Sequence, residues 1–149
     1  MGYKEVCAGE VPLPLLLEAD PSERSIASYR KNAWCFAVHS AGETIGACIV
    51  KPIGVKTAEI FNIAVCPPFQ KQGIGSGLLS YTLGELKARN MQRVELNTGA
   101  FGYQLTYYQR HGFRVDRVLK NHFLEHYSEP IIENGLQHLD ALRLYRVLD

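Results

Sequence analysis

The sequence has no long hydrophobic run, and no stretch of its 149 residues approaches the length that crosses a membrane. Its first residues lack the apolar segment of a secretory signal, so we expect a cytoplasmic protein that does not bind a membrane. It also lacks a charge excess, since 16 basic and 15 acidic residues give a formal net charge of +1. A nucleic-acid partner is therefore not expected. The length and ordinary composition predict one domain over residues 1–149.

The cysteines are few, and their spacing lacks any ligand pattern. Cys35 and Cys48 lie in apolar, strand-like runs, while Cys7 and Cys66 are far from both in the sequence. This distribution predicts reduced packing residues rather than a disulfide framework or a zinc site. Histidines at positions 122 and 126 could in principle hold a metal, but no further ligand pattern accompanies them. We therefore expect no metal cofactor.

Hydrophobic periodicity predicts a mixed chain of strands and helices. Predicted strands cover residues 3–8, 33–39, 44–52, 57–66, 93–97, 113–119 and 141–148. Residues 40–43 are predicted to form the hairpin turn between the second and third of these strands. Predicted helices cover residues 20–31, with Asp20 as the N-cap, 73–90 and 102–110. In the second of these helices, one apolar stripe is formed by Leu78, Leu79, Leu83 and Leu86. The segment 11–19 is expected to be a short turn and packing segment, and 121–135 is expected to be irregular.

Residues 58–79 contain a predicted strand, a glycine-rich turn and the start of a helix, and the rest of the chain is organised around this segment. Residues 60 to 65, which are apolar apart from Asn62, predict a strand covered on both faces, and Pro67 and Pro68 end it. A glycine-rich turn and a helix follow, so that backbone N–H groups point outward at the positive end of a helix dipole. Such a turn is typical of an anion site, most naturally one for phosphate.

Three kinds of glycine-rich loop compete at this place. A dinucleotide-binding loop needs Gly-x-Gly-x-x-Gly, but Leu78 stands where the last glycine belongs. A Walker loop needs Gly-x-x-x-x-Gly-Lys-Ser/Thr, which the sequence lacks. The third pattern, Gln/Arg-x-x-Gly-x-Gly/Ala after a strand, is matched in full by Gln70, Gly73 and Gly75. A glycine-rich turn without a ligand is the remaining alternative.

The third pattern resembles the pyrophosphate loop of the GNAT superfamily of acetyl-CoA-dependent N-acetyltransferases. Leu105-Thr-Tyr-Tyr-Gln-Arg-His-Gly-Phe113 resembles a second segment of that superfamily, aromatic-Tyr-x-Lys/Arg-x-Gly-Phe, and it follows in the expected order. The resemblance implies an α/β fold of mixed α+β type, the GNAT-type acyl-CoA N-acyltransferase fold. Its central mixed sheet would have six to seven strands flanked by helices. Acetyl-CoA is implied as the co-substrate.

The resemblance also implies how the chain would hold acetyl-CoA. The pyrophosphate would bind the loop, and the pantetheine arm would pair with the backbone of the preceding strand, much like an added strand. A backbone N–H near Val65 would polarise the acetyl carbonyl. Asn97 would hydrogen-bond substrate or cofactor, unless it is a turn residue before Thr98. The implied cofactor-binding residues are Ile63, Ala64, Val65, Gln70, Lys71, Gln72, Gly73, Ile74, Gly75, Ser76, Asn97 and Tyr108.

Two catalytic groups follow from the same resemblance. Tyr108 matches the tyrosine that assists departure of the CoA thiolate, a task suited to a phenol with a pKa of about 10. Glu59 matches the base of the histone-type branch, and a base is needed because the acceptor amine is protonated at neutral pH. The alternatives are that Tyr107 and Tyr108 are both core aromatics, and that Glu59 is an orienting or structural acid.

The acceptor is less constrained by the sequence. Residues 123–135 contain three acids and no Lys or Arg, so they either line a pocket that attracts a cation or form a solvated excursion. Low net charge and this segment favour a small cationic amine among polyamines, aminoglycoside-like amines, amino acids and protein amines. A CoA-binding sensor or scaffold without turnover is the alternative to an enzyme. The resemblance also implies that the chain can form a homodimer, as many superfamily members do.

Overall fold

The computed structural model describes residues 1–149, which form two compact units: residues 1–92 with 148–149, and residues 93–147. The elements of the first unit are β1 (Gly2–Cys7), α1 (Leu13–Leu17), α2 (Glu23–Arg30), β2 (Trp34–Ser40), β3 (Glu43–Pro52), β4 (Thr57–Val65) and α3 (Ile74–Ala88). Those of the second are β5 (Arg93–Gly99), α4 (Tyr103–Arg110), β6 (Arg114–Leu119), α5 (His122–His126), β7 (Ile132–Glu133), β8 (Leu136–Gln137) and β9 (Ala141–Val147). None of the helices has the length and hydropathy that crossing a bilayer requires.

Seven strands, β1 to β6 and β9, belong to one mixed sheet, so the predicted α/β class is confirmed. Within the first unit the strand order is β1-β2-β3-β4, and each neighbouring pair is antiparallel. Within the second unit the order is β5-β9-β6, again antiparallel. Strands β7 and β8 form a separate hairpin around Asn134 and Gly135, whose φ values of 54° and 76° fit a two-residue hairpin turn.

The core of the first unit lies where the sequence predicts it. The leucine stripe of α3 is buried, and so are the central residues of β2 and β3, because both strands are covered by neighbours. Cys35 and Cys48 are fully buried free thiols, which confirms their predicted role as packing residues. The buried residues of the α3 stripe are Leu78, Leu79, Leu83 and Leu86.

The predicted start of α2 is wrong by two residues. Ser22, not Asp20, is the N-cap, and its Oγ accepts a hydrogen bond from the Ser25 N–H at 3.1 Å. Asp20 is buried, and its Oδ2 accepts from the Tyr29 hydroxyl at 2.9 Å. That hydroxyl in turn accepts from Asn62 Nδ2 at 2.9 Å. A tertiary network, which no local pattern reveals, therefore determines the role of Asp20.

Three other predictions need correction. Residues 121–135 are not irregular, because they contain the short helix α5 and most of the β7–β8 hairpin. Strand β5 continues to Gly99, so Asn97 lies within a strand and is not a turn residue. Strand β4 is not covered on both faces, since buried residues alternate with half-buried ones along its length. This alternation is typical of a strand with one less protected face.

Candidate active site

The glycine-rich turn leads directly into α3. Lys71 and Gly73 have positive φ values of 62° and 82°, which reverse the chain between β4 and the helix. Gly73 is the N-cap of α3, and it has no side chain that could accept a hydrogen bond from the first turn of the helix. A Cβ on Gly73 would meet no atom within 4 Å, so the space above the turn is open. A helix that begins at a glycine beneath open space fits the phosphate site that the sequence predicts.

Hydrogen bonds within the loop fix its shape. Gln70 donates from Nε2 to the carbonyl oxygen of Val65 at 2.8 Å, and Gln72 donates from Nε2 to that of Pro68 at 3.1 Å. Both glutamines are predicted cofactor-binding residues. In the structure their side-chain amides donate to backbone carbonyl oxygens and so stabilise the conformation of the loop. Only Ile74 turns its side chain inward, where it packs with Val38 and Ile45. Any contact of Ile74 with a phosphate would therefore come from its backbone.

Strand β4 contains an irregularity beside the predicted pantetheine-binding residues. Its neighbour β3 pairs Ile49 with Asn62 and Val50 with Ile60, which leaves Phe61 as an extra residue. Such a β-bulge bends a strand locally, and bulges are frequent next to active sites. Of the predicted residues, Ala64 is buried, while Ile63 and Val65 are half-buried. No sequence signal revealed the bulge, since Phe61 is an ordinary strand residue.

Glu59 lies on the half-buried face of β4. Lys51 of β3 is its directly opposite cross-strand partner. Opposite charges in this arrangement attract each other across the strand pair. The position leaves the carboxylate partly accessible, as a base must be, and places a cation across from it. No local pattern in the sequence indicates the pairing of Lys51 with Glu59, because the two residues lie on different strands.

Tyr108 lies near the end of α4 and is 6% exposed. Its ring centroid is 5.1 Å from that of Tyr107 and 5.8 Å from that of Phe113. Its carbonyl oxygen accepts from the N–H groups of His111 and Phe113 at 3.0 and 3.1 Å. The backbone hydrogen bonds of the motif Tyr-Gln-Arg-His-Gly-Phe therefore end helix α4. The ring of Tyr108 packs against the rings of Tyr107 and Phe113.

Asn97 is exposed, and its Oδ1 accepts from Arg143 of β9 at 2.9 Å. Arg143 is 8% exposed and also donates from Nε to Glu95 Oε1 at 2.9 Å, while Arg93 donates to the other oxygen at 2.7 Å. Burial alone would raise the pKa of Glu95, but these hydrogen bonds lower it below its usual value. Glu95 and Arg143 are residues that the sequence analysis missed, because their contact joins strands far apart in the chain.

The acidic segment 123–135 divides into two parts. Glu125 and Glu129 are exposed, whereas Glu133 is hydrogen-bonded to His138 and to the backbone of Tyr103. The rings of the two histidines at 122 and 126 lie 4.6 Å apart. No three His, Cys, Asp or Glu side chains are grouped so that they could hold a metal ion.

Comparison with known proteins places these features in a family. Residues 8–113 match the model of the acetyltransferase (GNAT) family. An uncharacterised N-acetyltransferase of Bacillus subtilis, YvbK, is 36% identical over 132 residues, covering 88% of this chain and 85% of the relative. The ribosomal protein bS18-alanine N-acetyltransferase of Escherichia coli K12 is 26% identical over 103 residues, covering 68% of this chain and 70% of the relative.

Solved structures show the same similarity over nearly the whole chain. The structure of an IAA acetyltransferase from Bacillus cereus is 37% identical with a TM-score of 0.93, and 99% of each chain is covered. A GNAT acetyltransferase from Elizabethkingia anophelis with acetyl-CoA bound is 36% identical with a TM-score of 0.93, covering 99% of this chain and 97% of that one. The chain belongs to the acetyltransferase (GNAT) family, and it is an acetyl-CoA-dependent N-acetyltransferase.

Proposed function

We propose that this N-acetyltransferase moves the acetyl group of acetyl-CoA to the primary amine of a small cationic acceptor, by direct attack in a ternary complex. The observation that carries the choice of acceptor is the pair of exposed carboxylates, Glu125 and Glu129, in a segment that contains no Lys or Arg. Exposed acids without basic neighbours raise the local concentration of cations. Residues 1–149 are proposed to act as one catalytic domain. The free cysteines support the expected cytoplasmic, reducing location.

The glycine-rich loop is proposed to hold the pyrophosphate of acetyl-CoA. The glycine N-cap of α3 and the open space above it support this role, because no Cβ at this position stands between an anion and the positive end of the helix dipole. Lys71 is exposed at the same turn and can contact phosphate oxygens, and Gln72 and Ser76 are exposed beside it. Bound acetyl-CoA would supply the activated acyl carbonyl.

Tyr108 is proposed to donate its hydroxyl proton toward the departing sulfur. Its burial supports the role, because a hydrogen bond to a developing thiolate is stronger where water is excluded. A Tyr108→Phe variant should lose about a hundredfold or more in kcat. Its dissociation constant for acetyl-CoA, measured by titration calorimetry, should change little. Tyr107→Phe is the matched control, and wild-type turnover in Tyr108→Phe would remove Tyr108 from the mechanism.

Glu59 is proposed to take the proton from the acceptor amine, directly or through water. A Glu59→Gln variant should be slow at neutral pH and should recover as the pH approaches the amine pKa of about 10, because the amine then arrives deprotonated. The measurement is the pH dependence of kcat/KM for the variant relative to the wild type. A constant ratio across pH would assign Glu59 an orienting role instead.

A protein amine is the second candidate acceptor, because the bS18-alanine N-acetyltransferase of Escherichia coli K12 is among the relatives. The two candidates are separated by a panel read through release of free CoA. The panel contains polyamines, an aminoglycoside, amino acids, an alanine-initiated peptide and a lysine peptide. Highest kcat/KM on a polyamine or aminoglycoside, with a raised amine KM when Glu125 and Glu129 are both changed to Gln, supports the first proposal. Preference for a peptide overturns it.

A further inference from the structure

The start of α4 is capped from a distance. Gly102 precedes the helix with a φ of 103°, and it has no side chain that could cap the first turn. The carboxylate of Glu133, thirty residues further along the chain, accepts the hydrogen bond of the Tyr103 N–H at 3.1 Å through Oε2. A negative charge at this end of a helix is also favourable to the helix dipole. Glu133 therefore performs the role that a neighbouring Ser or Asp usually has.

A second residue holds this carboxylate in place. His138 donates from Nε2 to Glu133 Oε1 at 2.9 Å, since an ionised carboxylate can only accept. The His138 ring is 5% exposed and lies parallel to that of Phe101, with 3.9 Å between centroids and 8° between planes. Its backbone N–H donates to the carbonyl of Ile131 at 2.8 Å. The pair is thus fixed by stacking and by two hydrogen bonds.

Two glycines make room for the pair. A Cβ on Gly99 would collide with the His138 ring, and a Cβ on Gly102 would collide with the Glu133 carboxylate. The His138 ring is buried and stacked and cannot move aside, whereas the Glu133 carboxylate could move only by losing its hydrogen bonds to Tyr103 and His138. The backbone of the second unit is therefore shaped around the Glu133–His138 pair.

We propose that Glu133, held by His138, is a positioning residue that fixes α4 and thereby the ring of Tyr108. The inference rests on the proposed role of Tyr108. Helix α4 has eight residues, so its own hydrogen bonds alone would leave it marginally stable, and its ends need outside support. Tyr108 lies five residues from the capped N–H, within the same short helix. A displacement of about 1 Å in a reacting group can lower a rate roughly a hundredfold.

The test is a double-mutant cycle. Glu133→Ala should lower kcat about tenfold with little change in KM for acetyl-CoA, because the loss acts on the position of a catalytic group. Glu133→Gln should lie between the wild type and Glu133→Ala, since its amide oxygen still accepts the Tyr103 N–H while its NH2 group meets the donor His138 Nε2–H. Glu10→Ala removes an exposed acid that has no proposed role in the site, and it serves as the control. In a Tyr108→Phe background, Glu133→Ala should cause no further loss.

The outcomes separate this inference from the proposed function. If Tyr108→Phe lowers kcat but Glu133→Ala does not, positioning by Glu133 is wrong while the role of Tyr108 stands. If Glu133→Ala lowers kcat equally in both backgrounds, Glu133 only stabilises the fold and the inference is overturned. If Tyr108→Phe retains turnover, Glu133 has no residue to act through and both proposals fail. Should Glu133→Ala not fold, Glu133→Asp keeps the charge but shortens its reach, and the same cycle and the same criteria apply.

Discussion

Gln70 donates a hydrogen bond from its side-chain amide to the carbonyl oxygen of Val65, over 2.8 Å. The bond joins the glycine-rich loop to the last residue of β4. The loop that is proposed to hold the pyrophosphate and the strand that is proposed to pair with pantetheine are therefore fastened to each other. Correct placement of one end of acetyl-CoA then favours correct placement of the rest.

Changing Gln70 to Ala should weaken acetyl-CoA binding about fivefold, a loss expected for one hydrogen bond that orders a binding loop. The measurement is the dissociation constant from titration calorimetry. Gln72→Ala is the matched comparison, because its amide bond to Pro68 stays within the loop. We expect a smaller effect there. Equal losses in both variants would argue against a special role for the connection to β4.

Gly73 and Gly84 should respond in opposite directions to the same substitution. Gly73 has a φ of 82°, so Gly73→Ala should lower the free energy of unfolding by roughly 1 kcal/mol through backbone strain. Gly84 lies inside α3 with open space at its Cβ, and Gly84→Ala should raise that free energy by about 0.5–1 kcal/mol. Urea denaturation measures both changes. A Gly73→Ala variant as stable as the wild type would show that the turn relaxes easily.

The pairing of Glu95 with Arg93 and Arg143 should make the free energy of unfolding depend on pH in the acidic range. The pKa of Glu95 is lower in the folded chain than its usual value of 4.5, so its contribution is complete above that pH. The contribution is lost as the pH falls through the folded-state pKa, below 4.5. The difference in unfolding free energy between wild type and Glu95→Gln should accordingly be constant above pH 4.5 and should shrink below it. Glu10→Gln, an exposed acid, is the control, and urea curves at several pH values provide the measurement.

The free thiols should differ in reactivity. Burial raises the pKa of Cys35 and that of Cys48 to about 12 and keeps both side chains from solvent, so neither should be alkylated in the native protein at pH 8. Cys7 is exposed and should react first, and Cys66, whose pKa is raised by partial burial, should react more slowly. Peptide mass spectrometry after iodoacetamide treatment reads all four sites. Native labelling of Cys48 as fast as Cys7 would contradict the described packing.

The features that could be predicted from the sequence are those with a local signal. The leucine stripe of α3 has helical spacing, and the turn at Ala41 and Gly42 has the residues that a tight hairpin prefers, so both elements were placed correctly. The glycine loop was recognisable for the same reason. Neighbouring residues in the chain determine each of these structures.

The features that escaped prediction depend on distant contacts. Asp20 and Ser22 are both good N-cap residues, but Asp20 accepts from the Ser22 N–H and from the distant, buried Tyr29 hydroxyl, while Ser22 caps the helix. Helix α5 and strands β7 and β8 are too short to show a period. The contact of Glu133 with Tyr103 spans thirty residues, so nothing near either residue indicates it.

The close contact between Gly102 and Glu133 limits which residues homologues can carry at these two positions. Because a methyl group at position 102 and a carboxylate at position 133 compete for the same volume, one position cannot change freely without the other. Homologues that keep Glu133 should also keep glycine at 102, and homologues with a larger residue at 102 should carry a shorter or different one at 133. The same reciprocal substitution is expected between positions 99 and 138, so an alignment of relatives should show two linked pairs.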